Sequence, residues 1–201
     1  MSKRVLICVT GMPGSGKSVV SRALGKLAKR VVSMGDAVRE EARRRGLPTD
    51  LRTMMELAQR LREERGPAAV AKLVLEILEE EGTYVIDGVR SLHEIDVFRE
   101  FGNVIIVAVH ASPRTRFSRL STRGRRDDPK SWEEFVARDM KELGFGIGGV
   151  IALADVMVVN EDKSPEEVAN EALEAVRRVL SSARCESGGR GQADRGSGEG
   201  A

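Results

Sequence analysis

The chain has 201 residues, a length typical of one α/β domain that buries a single sizeable core. Its 33 lysines and arginines nearly balance its 31 aspartates and glutamates, so the net charge of +2 gives no reason to expect a large polyanion as partner. Two cysteines exclude a disulfide framework and suit a reducing cytosol, and the first apolar run is too short for a signal peptide or a membrane span. We therefore expect a cytoplasmic protein with no membrane partner.

Residues 4–20 read RVLICVTGMPGSGKSVV and predict a strand, a glycine-rich turn and the start of a helix. The turn has the spacing G-x-x-x-x-G-K-[ST], which is typical of a phosphate-binding loop. Its glycines let several backbone amides approach the same phosphate oxygens, and the helix that follows directs its positive end at them. The residues predicted to bind the phosphates are Gly11, Met12, Pro13, Gly14, Ser15, Gly16, Lys17 and Ser18.

Two side chains at the end of this loop have predicted roles in binding a nucleoside triphosphate. The Lys17 ammonium is expected to reach the β- and γ-phosphates, and the Ser18 hydroxyl is expected to bind Mg²⁺. We therefore predict that the chain uses ATP and Mg²⁺.

Strands and helices alternate along the rest of the chain. Apolar runs predict further strands at 31–33, 83–86, 103–109 and 155–160. The longest run, 103–109, is expected to be a central strand. Helical periodicity predicts helices at about 36–45, 50–64, 67–81, 91–100, 113–120 and 131–143, and a capping box at 164–167 opens the last helix. The glycine-rich segment 144–149 is expected to end the helix at 131–143.

This alternation predicts a fold of the α/β class. Strands joined through helices form a parallel sheet with right-handed crossovers and helices on both faces. Together with the glycine-rich loop, it predicts a P-loop NTPase fold, a three-layer αβα sandwich around a five-stranded parallel sheet.

Three polar residues follow predicted strands, where open α/β sheets bind their ligands. Asp87 directly follows the strand at 83–86 and is the favoured Mg²⁺ ligand together with Ser18. Asp36 follows the second strand and has two alternative roles, support of the Mg²⁺ or removal of a proton from a hydroxyl acceptor. His110 is predicted to be a structural polar residue.

Two arginines stand at the same distance from these strand ends. Arg39 comes three residues after Asp36, and Arg90 comes three residues after Asp87. The equal offsets predict that both guanidinium groups point into one cleft, where they would bind the phosphate of an acceptor substrate. The alternative for each arginine is a solvated position on the surface.

A further group of arginines lies between the fourth and fifth strands. Its members are Arg114, Arg116, Arg119, Arg123, Arg125, Arg126 and Arg138. Arg123, Arg126 and Arg138 are predicted to close over the triphosphate, exclude water and neutralise charge on the transferring phosphoryl group. The alternative is an exposed helix face whose arginines pair with Asp127 and Asp128.

Four segments together resemble the nucleoside monophosphate kinase superfamily: GMPGSGKS, MGDAVR, DGVRS, and RGRRDDP with the later FVARD. The first two are similar to adenylate kinases, and the resemblance implies that Arg39 of the Gly-Asp-x-x-Arg element binds the acceptor's phosphate. DGVRS is similar to the Asp-Gly-Phe-Pro-Arg element of the same enzymes. It lacks the proline, so Arg90 aligns only to within one residue.

The C-terminal half is more similar to dephospho-coenzyme A kinase. This resemblance rests on SRLSTRGRRDDPKSWEEFVARD and ALADVMVVNEDKSPEEV, and it implies that Asp36 takes a proton from a ribose hydroxyl. From Met1 to about Ala183, the chain most resembles an archaeal group of kinase-like proteins that stands between adenylate and cytidylate kinases and dephospho-coenzyme A kinase.

The resemblance implies an ATP-dependent phosphotransferase that moves the γ-phosphoryl group of Mg-ATP to a small nucleotide-like acceptor. A nucleoside monophosphate is favoured over dephospho-coenzyme A as this acceptor. Residues 1–184 would form the P-loop kinase domain, with 34–81 as a helical acceptor-binding insert and 121–130 as a short lid. Residues 185–201 are rich in glycine and charged residues and are predicted to be a disordered tail.

Two other classes of function stay open at this point. One is a regulatory P-loop ATPase or nucleotide switch, and the other is a nucleic-acid end kinase or RNA-binding factor. The nearly balanced net charge gives no reason to expect a polyanion, so we expect no nucleic-acid partner. The sequence does not determine the oligomeric state.

Overall fold

A five-stranded sheet forms the centre of the computed structural model, which describes residues 4–78, 81–124 and 128–188. Its strands are β1 (Arg4–Thr10), β2 (Arg30–Ser33), β3 (Gly82–Asp87), β4 (Asn103–His110) and β5 (Val156–Val159). They lie in the order β2-β3-β1-β4-β5, and every pairing is parallel. The predicted five-stranded parallel sheet is therefore confirmed, with β1 at its centre and β4 beside it.

The described helices connect the strands and cover both faces of the sheet. They are α1 (Lys17–Leu24), α2 (Met34–Arg44), α3 (Leu51–Arg65), α4 (Ala69–Glu76), α5 (Leu92–Phe101), α6 (Pro113–Arg123), α7 (Trp132–Gly144), α8 (Ile147–Ala152) and α9 (Pro165–Gly188). A short 3-10 turn, Gly25–Leu27, follows α1. Each connection between consecutive strands contains at least one helix, as parallel pairing requires.

Successive residues of β1 point to opposite faces of the sheet and belong to two separate apolar cores. Leu6 and Cys8 pack with buried residues of α2, α3, α4 and α5, whereas Ile7 and Val9 pack with buried residues of α1 and α9. All four side chains are fully buried. The sheet is thus the middle layer of a three-layer αβα sandwich, as predicted.

The register brings the carboxyl ends of neighbouring strands together. Val9 of β1 pairs with Asp87 of β3, and Thr10 pairs with Ala108 of β4. The loop after β1 therefore leaves the sheet beside Asp87, at the edge where open α/β sheets bind ligands.

Helix α2 begins directly after β2, which changes the expected position of Asp36. The Ser33 hydroxyl accepts hydrogen bonds from the backbone amides of Gly35 and Asp36, at 3.1 and 3.3 Å, and so caps the helix. Asp36 consequently lies in the first turn of α2 rather than at the end of the strand. A carboxylate is favourable there because it lies near the positive end of the helix.

Two helices differ in extent from the sequence prediction. Helix α4 ends at Glu76, several residues before its predicted end. Helix α8 begins at Ile147, within the glycine-rich segment 144–149 that is predicted only to end the preceding helix. Gly146 has a φ of +95°, a left-handed conformation that lets the chain turn from α7 into α8. Burial of Ile147 and Val150 then stabilises α8.

Reciprocal hydrogen bonds confirm the capping box of α9. The Ser164 amide donates to the Glu167 carboxylate at 2.7 Å, and the Glu167 amide donates to the Ser164 hydroxyl at 3.2 Å. The helix continues to Gly188, so residues 185–188 are helical, and 189–201 lie outside the described residues. Among the described helices, we find none that combines the length and apolar character of a membrane span.

Candidate active site

The loop between β1 and α1 turns through glycines in conformations that other residues rarely adopt. Gly14 and Gly16 have φ angles of +80° and +100°. A Cβ atom at Gly14 would lie 2.8 Å from the backbone oxygen of Arg116, and one at Gly16 would overlap the side-chain amide of Asn160. Both positions therefore require glycine for its backbone freedom and for the space it leaves.

Two side chains from distant parts of the chain hold this loop in place. The Asn160 side chain, which follows β5, donates a hydrogen bond to the Ser15 carbonyl oxygen at 2.8 Å. Arg116 of α6 donates to the Pro13 carbonyl oxygen at 3.2 Å and pairs with both carboxylate oxygens of Asp139 on α7, at 2.8 and 2.5 Å. The end of β5, α6 and α7 thus jointly fix the shape of the loop.

Lys17 places a partly buried ammonium group beside the loop. Its Nζ atom donates to the carbonyl oxygens of Gly11 and Met12, at 2.6 and 3.1 Å. Burial lowers the pKa of Lys17 to about 8, an effect that Asp87 opposes and Arg90 reinforces. A polyanion bound next to this ammonium would restore its positive charge and gain a strong electrostatic partner.

Asp87 ends β3 and contributes a partly buried carboxylate near Lys17. Burial raises the pKa of Asp87, although the positive charges of Lys17 and Arg90 act in the opposite direction. Its Oδ1 atom is buried and, within the described part of the chain, has no hydrogen-bond partner. Such an oxygen is suited to a positively charged ligand.

The donor set at this point suits Mg²⁺. The Ser18 hydroxyl and the Asp87 carboxylate line the same cavity and offer the oxygen ligands that a hard cation prefers. Residues 4–78, 81–124 and 128–188 contain no cluster of three or more histidine, cysteine, aspartate or glutamate side chains that could hold a metal by themselves. Magnesium usually takes only one or two carboxylates and completes its coordination with phosphate oxygens and water.

A cavity of about 430 Å³ opens where these groups meet. It is bounded by the glycine-rich loop, the turn after β3, and the sides of α6 and α7 that face the loop. Its lining residues are Gly11, Pro13, Gly14, Gly16, Lys17, Ser18, Asp87, Gly88, Val89, Arg90, Arg119, Leu120, Arg123, Arg138, Glu142 and Ile147. The structure thus brings most of the predicted phosphate-binding loop together with Asp87, Arg90 and two of the predicted lid arginines.

Arg90 and Glu142 form an ion pair in the wall of this cavity. The Arg90 Nε atom lies 3.1 Å from Glu142 Oε2, and the Glu142 side chain is only 13% exposed. The backbone amide of Arg90 donates to the buried Glu94 carboxylate at 2.8 Å, which fixes the turn after β3. Sequence reasoning missed Glu142, although it lies four residues after Arg138 and therefore on the same side of a helix.

The two predicted lid arginines in the described chain share one acidic partner. Arg123 makes two hydrogen bonds to the buried Asp128 carboxylate, and Arg138 Nη1 lies 3.6 Å from it. The pairing with Asp128, the alternative to a lid role, is therefore present, yet both arginines also line the cavity. Arg126 lies in the segment 125–127, outside the described residues, and its role stays a prediction.

Asp36 and Arg39 do not line the cavity. They form an ion pair with each other on the surface of α2, where the Asp36 side chain is 61% exposed. Asp36 is nevertheless near enough for its charge to contribute to the raised pKa of Asp87. An acceptor that contacts both Arg39 and Arg90 would have to extend from the cavity toward α2.

The sequence matches an AAA domain over residues 7–141, from β1 into α7. It is 55% identical over 164 residues to a UPF0200 protein of Thermococcus sibiricus, and the match covers 78% of this chain and 86% of that protein. It is 51% identical over 178 residues to a UPF0200 protein of Hyperthermus butylicus, with coverages of 88% and 95%.

Solved structures of low sequence identity share the fold. TT1252 from Thermus thermophilus has a TM-score of 0.64 at 21% identity and covers 89% of this chain and 99% of its own. A shikimate kinase from Bacteroides thetaiotaomicron has a TM-score of 0.61 at 16% identity, with coverages of 88% and 98%. A gluconokinase from Sinorhizobium meliloti has a TM-score of 0.56 at 19% identity, with coverages of 93% and 99%. The fold is therefore that of the P-loop kinases.

Proposed function

We propose that this chain, which belongs to the UPF0200 family and carries an AAA domain over residues 7–141, is an ATP- and Mg²⁺-dependent phosphotransferase. The observation that carries the proposal is the cavity into which the glycine-rich loop, Lys17, Asp87 and four arginines all open. Phosphoryl transfer needs positioning and neutralisation of negative charge, and this cavity supplies groups for both.

The triphosphate would lie along the glycine-rich loop, with its β- and γ-phosphates at Lys17. Asp87 and Ser18 would hold Mg²⁺, which supplies positive charge to the β- and γ-phosphate oxygens when bound. Arg123 and Arg138 would bind the transferring group from the side of α6 and α7 and keep water out of the cavity. Their shared partner, Asp128, holds both guanidinium groups at that position before a nucleotide binds.

The first candidate acceptor is a nucleoside monophosphate. Arg90 would bind its phosphate, since a guanidinium group forms two parallel hydrogen bonds with a phosphate and keeps its charge. Arg39 would contact a part of the acceptor that extends toward α2. The enzyme then needs no general base, because the attacking phosphate oxygen is already negatively charged.

The second candidate acceptor is a hydroxyl group, as in transfer to a ribose, and Glu142 favours it. This carboxylate lies 3.1 Å from Arg90, so a phosphate bound to Arg90 would be close to a negative charge in a poorly hydrated wall. A hydroxyl group could instead donate a hydrogen bond to Glu142. As it attacks the γ-phosphorus, its proton would pass to the carboxylate while the bond to ADP breaks.

One experiment separates these acceptors. The protein is incubated with Mg-ATP and, in turn, each nucleoside monophosphate, dephospho-coenzyme A and unphosphorylated nucleosides, and ADP formation is measured. ADP formed only with the monophosphates supports the first candidate, and ADP formed with dephospho-coenzyme A or nucleosides supports the second. If ATP is hydrolysed slowly and no acceptor changes the rate of ADP formation, the result contradicts phosphotransfer and indicates a regulatory ATPase.

Arg90→Ala is expected to raise the KM for the acceptor about 10- to 100-fold, because a charged hydrogen-bonding partner inside the cavity is lost. Arg39→Ala is expected to raise it less, since Arg39 lies outside the cavity on α2. The KM for ATP should stay within about twofold in both variants. Initial rates with each substrate varied in turn measure both constants.

Arg99→Ala is a matched control, because Arg99 is also ion-paired but lies exposed on α5, outside the cavity. It should leave both KM values unchanged. If Arg90→Ala and Arg39→Ala weakened ATP binding alone, the acceptor would bind elsewhere.

ATP binding at pH 8 is expected to take up roughly half a proton per molecule of protein. The pKa of Lys17 is about 8 in the free protein, so about half of these side chains are neutral there. Bound phosphates raise this pKa, and the neutral fraction then gains a proton. Uptake should fall to about a tenth of a proton at pH 7.

Calorimetric titrations in two buffers of different ionisation enthalpy measure this uptake. Lys17→Arg is the control, because arginine stays charged at both pH values. Equal binding heats in the two buffers at pH 8 would mean that no proton is taken up. Lys17 would then not contact the bound phosphates.

A further inference from the structure

Two carbonyl groups of the glycine-rich loop accept hydrogen bonds from buried side chains behind the loop. Arg116 Nη1 donates to the Pro13 carbonyl oxygen at 3.2 Å, and Asn160 Nδ2 donates to the Ser15 carbonyl oxygen at 2.8 Å. Both side chains are buried, and neither is among the described residues that line the cavity. The two contacts therefore reach the loop from the protein interior.

Each of these carbonyl groups fixes the direction of the amide that follows it. The C=O and N–H bonds of a trans peptide point in opposite directions, and no cis peptide bond occurs in the described part of the chain. The amide after Pro13 belongs to Gly14, and the amide after Ser15 belongs to Gly16. Both glycines line the cavity. With their carbonyl oxygens turned toward the interior, the two peptide groups direct their N–H bonds toward the cavity.

The backbone of the loop does not fix these amide directions by itself. Rotation of a peptide group changes the φ angle of the residue after it, and in both cases that residue is a glycine with a positive φ. Glycine adopts positive and negative φ angles about equally easily. Without the contacts from Arg116 and Asn160, either peptide group could rotate and turn its N–H bond away from the cavity.

Arg116 is itself held firmly in place. Its Nε atom donates to the Ala111 carbonyl oxygen at 3.1 Å, and its terminal nitrogens donate to both carboxylate oxygens of Asp139, at 2.8 and 2.5 Å. Its guanidinium carbon lies 4.9 Å from the centre of the Phe135 ring. The planar fork of an arginine makes these contacts and the one to Pro13 at the same time.

Stability alone gives little reason for a buried ion pair at this point. The side chains of Arg116 and Asp139 are only 5% and 14% exposed. Removing two charges from water offsets much of their attraction, so apolar side chains often hold two helices together equally well. The hydrogen bond from Arg116 to Pro13 does give a reason, because an apolar side chain could not make it.

We propose that Arg116, held by Asp139, and Asn160 are positioning residues that aim the amides of Gly14 and Gly16 at the phosphates of a bound triphosphate. Neither Arg116 nor Asn160 touches the ligand, and each acts through the carbonyl group that it holds. This inference deepens the proposed function and rests on its assignment of the triphosphate to the glycine-rich loop. Amides that point at the phosphates before binding reduce the free energy needed to order the loop.

Binding of inorganic tripolyphosphate tests the proposal without an acceptor or a nucleoside. The double variant Arg116→Met/Asp139→Leu removes the hydrogen bond to Pro13 and replaces the ion pair with apolar side chains. Such replacements are often neutral or stabilising, so its thermal unfolding should differ little from that of the unchanged protein. Its dissociation constant for tripolyphosphate with Mg²⁺, measured by calorimetry, should nevertheless rise about tenfold, because the Gly14 amide is no longer held toward a phosphate.

Glu41→Leu/Arg45→Met is the matched control. These two residues form an ion pair at 2.8 Å at the end of α2, outside the cavity. Like the first double variant, this one exchanges one acidic residue for leucine and one arginine for methionine, so the net charge stays the same. Its dissociation constant for tripolyphosphate should stay within about twofold of the unchanged protein.

Amide resonances in NMR spectra report the two positioning contacts separately. In the unchanged protein, saturating tripolyphosphate should shift the amide proton resonances of both Gly14 and Gly16. In Arg116→Met/Asp139→Leu, Gly14 should lose most of this shift while Gly16 keeps it. Asn160→Leu should give the reverse pattern, because leucine has the branched shape of asparagine but no hydrogen-bond donor. A general loss of structure would instead affect both glycines in each variant.

The outcomes separate this inference from the proposed phosphotransfer. Unchanged tripolyphosphate affinity in the folded variants overturns the inference, and so does a loss of both glycine shifts in each variant alike. Asn160→Leu leaves the ion pair of Arg116 intact, so it decides the question by itself if the double variant does not fold. Phosphotransfer is judged by ADP formation with the acceptors. If the variants behave as expected but no acceptor yields ADP, the positioning residues stand and the phosphotransferase proposal fails.

Discussion

Lys17→Ala is expected to lower the turnover number for phosphoryl transfer by about 10³-fold. The partly buried Lys17 ammonium lies 2.6 Å from the Gly11 carbonyl oxygen and lines the cavity next to Ser18. Alanine removes the charge that would offset the negative charge of the γ-phosphoryl group during transfer. A coupled assay of ADP formation, at saturating ATP and acceptor, measures the effect.

Lys26→Ala is the matched control for this variant. Lys26 lies in the exposed turn after α1, so its removal changes the net charge equally without touching the cavity. Its turnover number should stay within about twofold of the unchanged protein. Near-normal turnover in Lys17→Ala would contradict the assignment of the phosphate-binding loop.

Asp87→Asn is expected to raise the concentration of Mg²⁺ needed for half-maximal transfer at least tenfold and to lower the maximal rate about 10²-fold. Asparagine keeps the size of the side chain but loses the negative charge of the buried Oδ1 atom. The carboxylate also raises the pKa of Lys17, so the variant should have more neutral Lys17 at pH 8. Rates measured over a titration of Mg²⁺ at fixed ATP give both effects.

Asp96→Asn provides the comparison, because Asp96 is an exposed aspartate on α5 whose side chain is 64% accessible. It should leave the Mg²⁺ dependence unchanged. The same Mg²⁺ dependence in Asp87→Asn and in the unchanged protein would exclude Asp87 as a metal ligand.

The sequence was sufficient to predict the sheet and the glycine-rich turn between β1 and α1, because both depend on short-range patterns. Residues 11–18 are contiguous, and their glycines determine the local conformation wherever the loop lies in the fold. Asp87 could be placed for a related reason. The carboxyl ends of parallel strands share one edge, and its strand, β3, neighbours β1.

Equal sequence offsets did not give Arg39 and Arg90 equal positions. Arg90 follows β3, which lies beside β1, whereas Arg39 follows β2, which is one strand farther from the loop. The Ser33 cap also starts α2 at once, so Arg39 pairs with Asp36 on the helix surface. The strand order and the cap could not be deduced from the spacing that suggested a shared cleft.

The contacts that hold the glycine-rich loop in place could not be predicted from sequence patterns either. Arg116 counts as one of many arginines in the sequence, but in the structure it is buried and contacts Pro13 and Asp139. Its role depends on how α6 and α7 pack against the loop, which is a property of the tertiary structure. Glu142 enters the cavity wall for the same reason.

The hydrogen bond between Asn160 and Ser15 joins residues that are 145 positions apart. During synthesis on the ribosome, the glycine-rich loop emerges early, but Asn160 follows only when most of the chain has been made. A nascent chain that stalls before β5 therefore contains the complete loop sequence without the contact that holds it. Such incomplete products are expected to leave the cellular pool of ATP untouched.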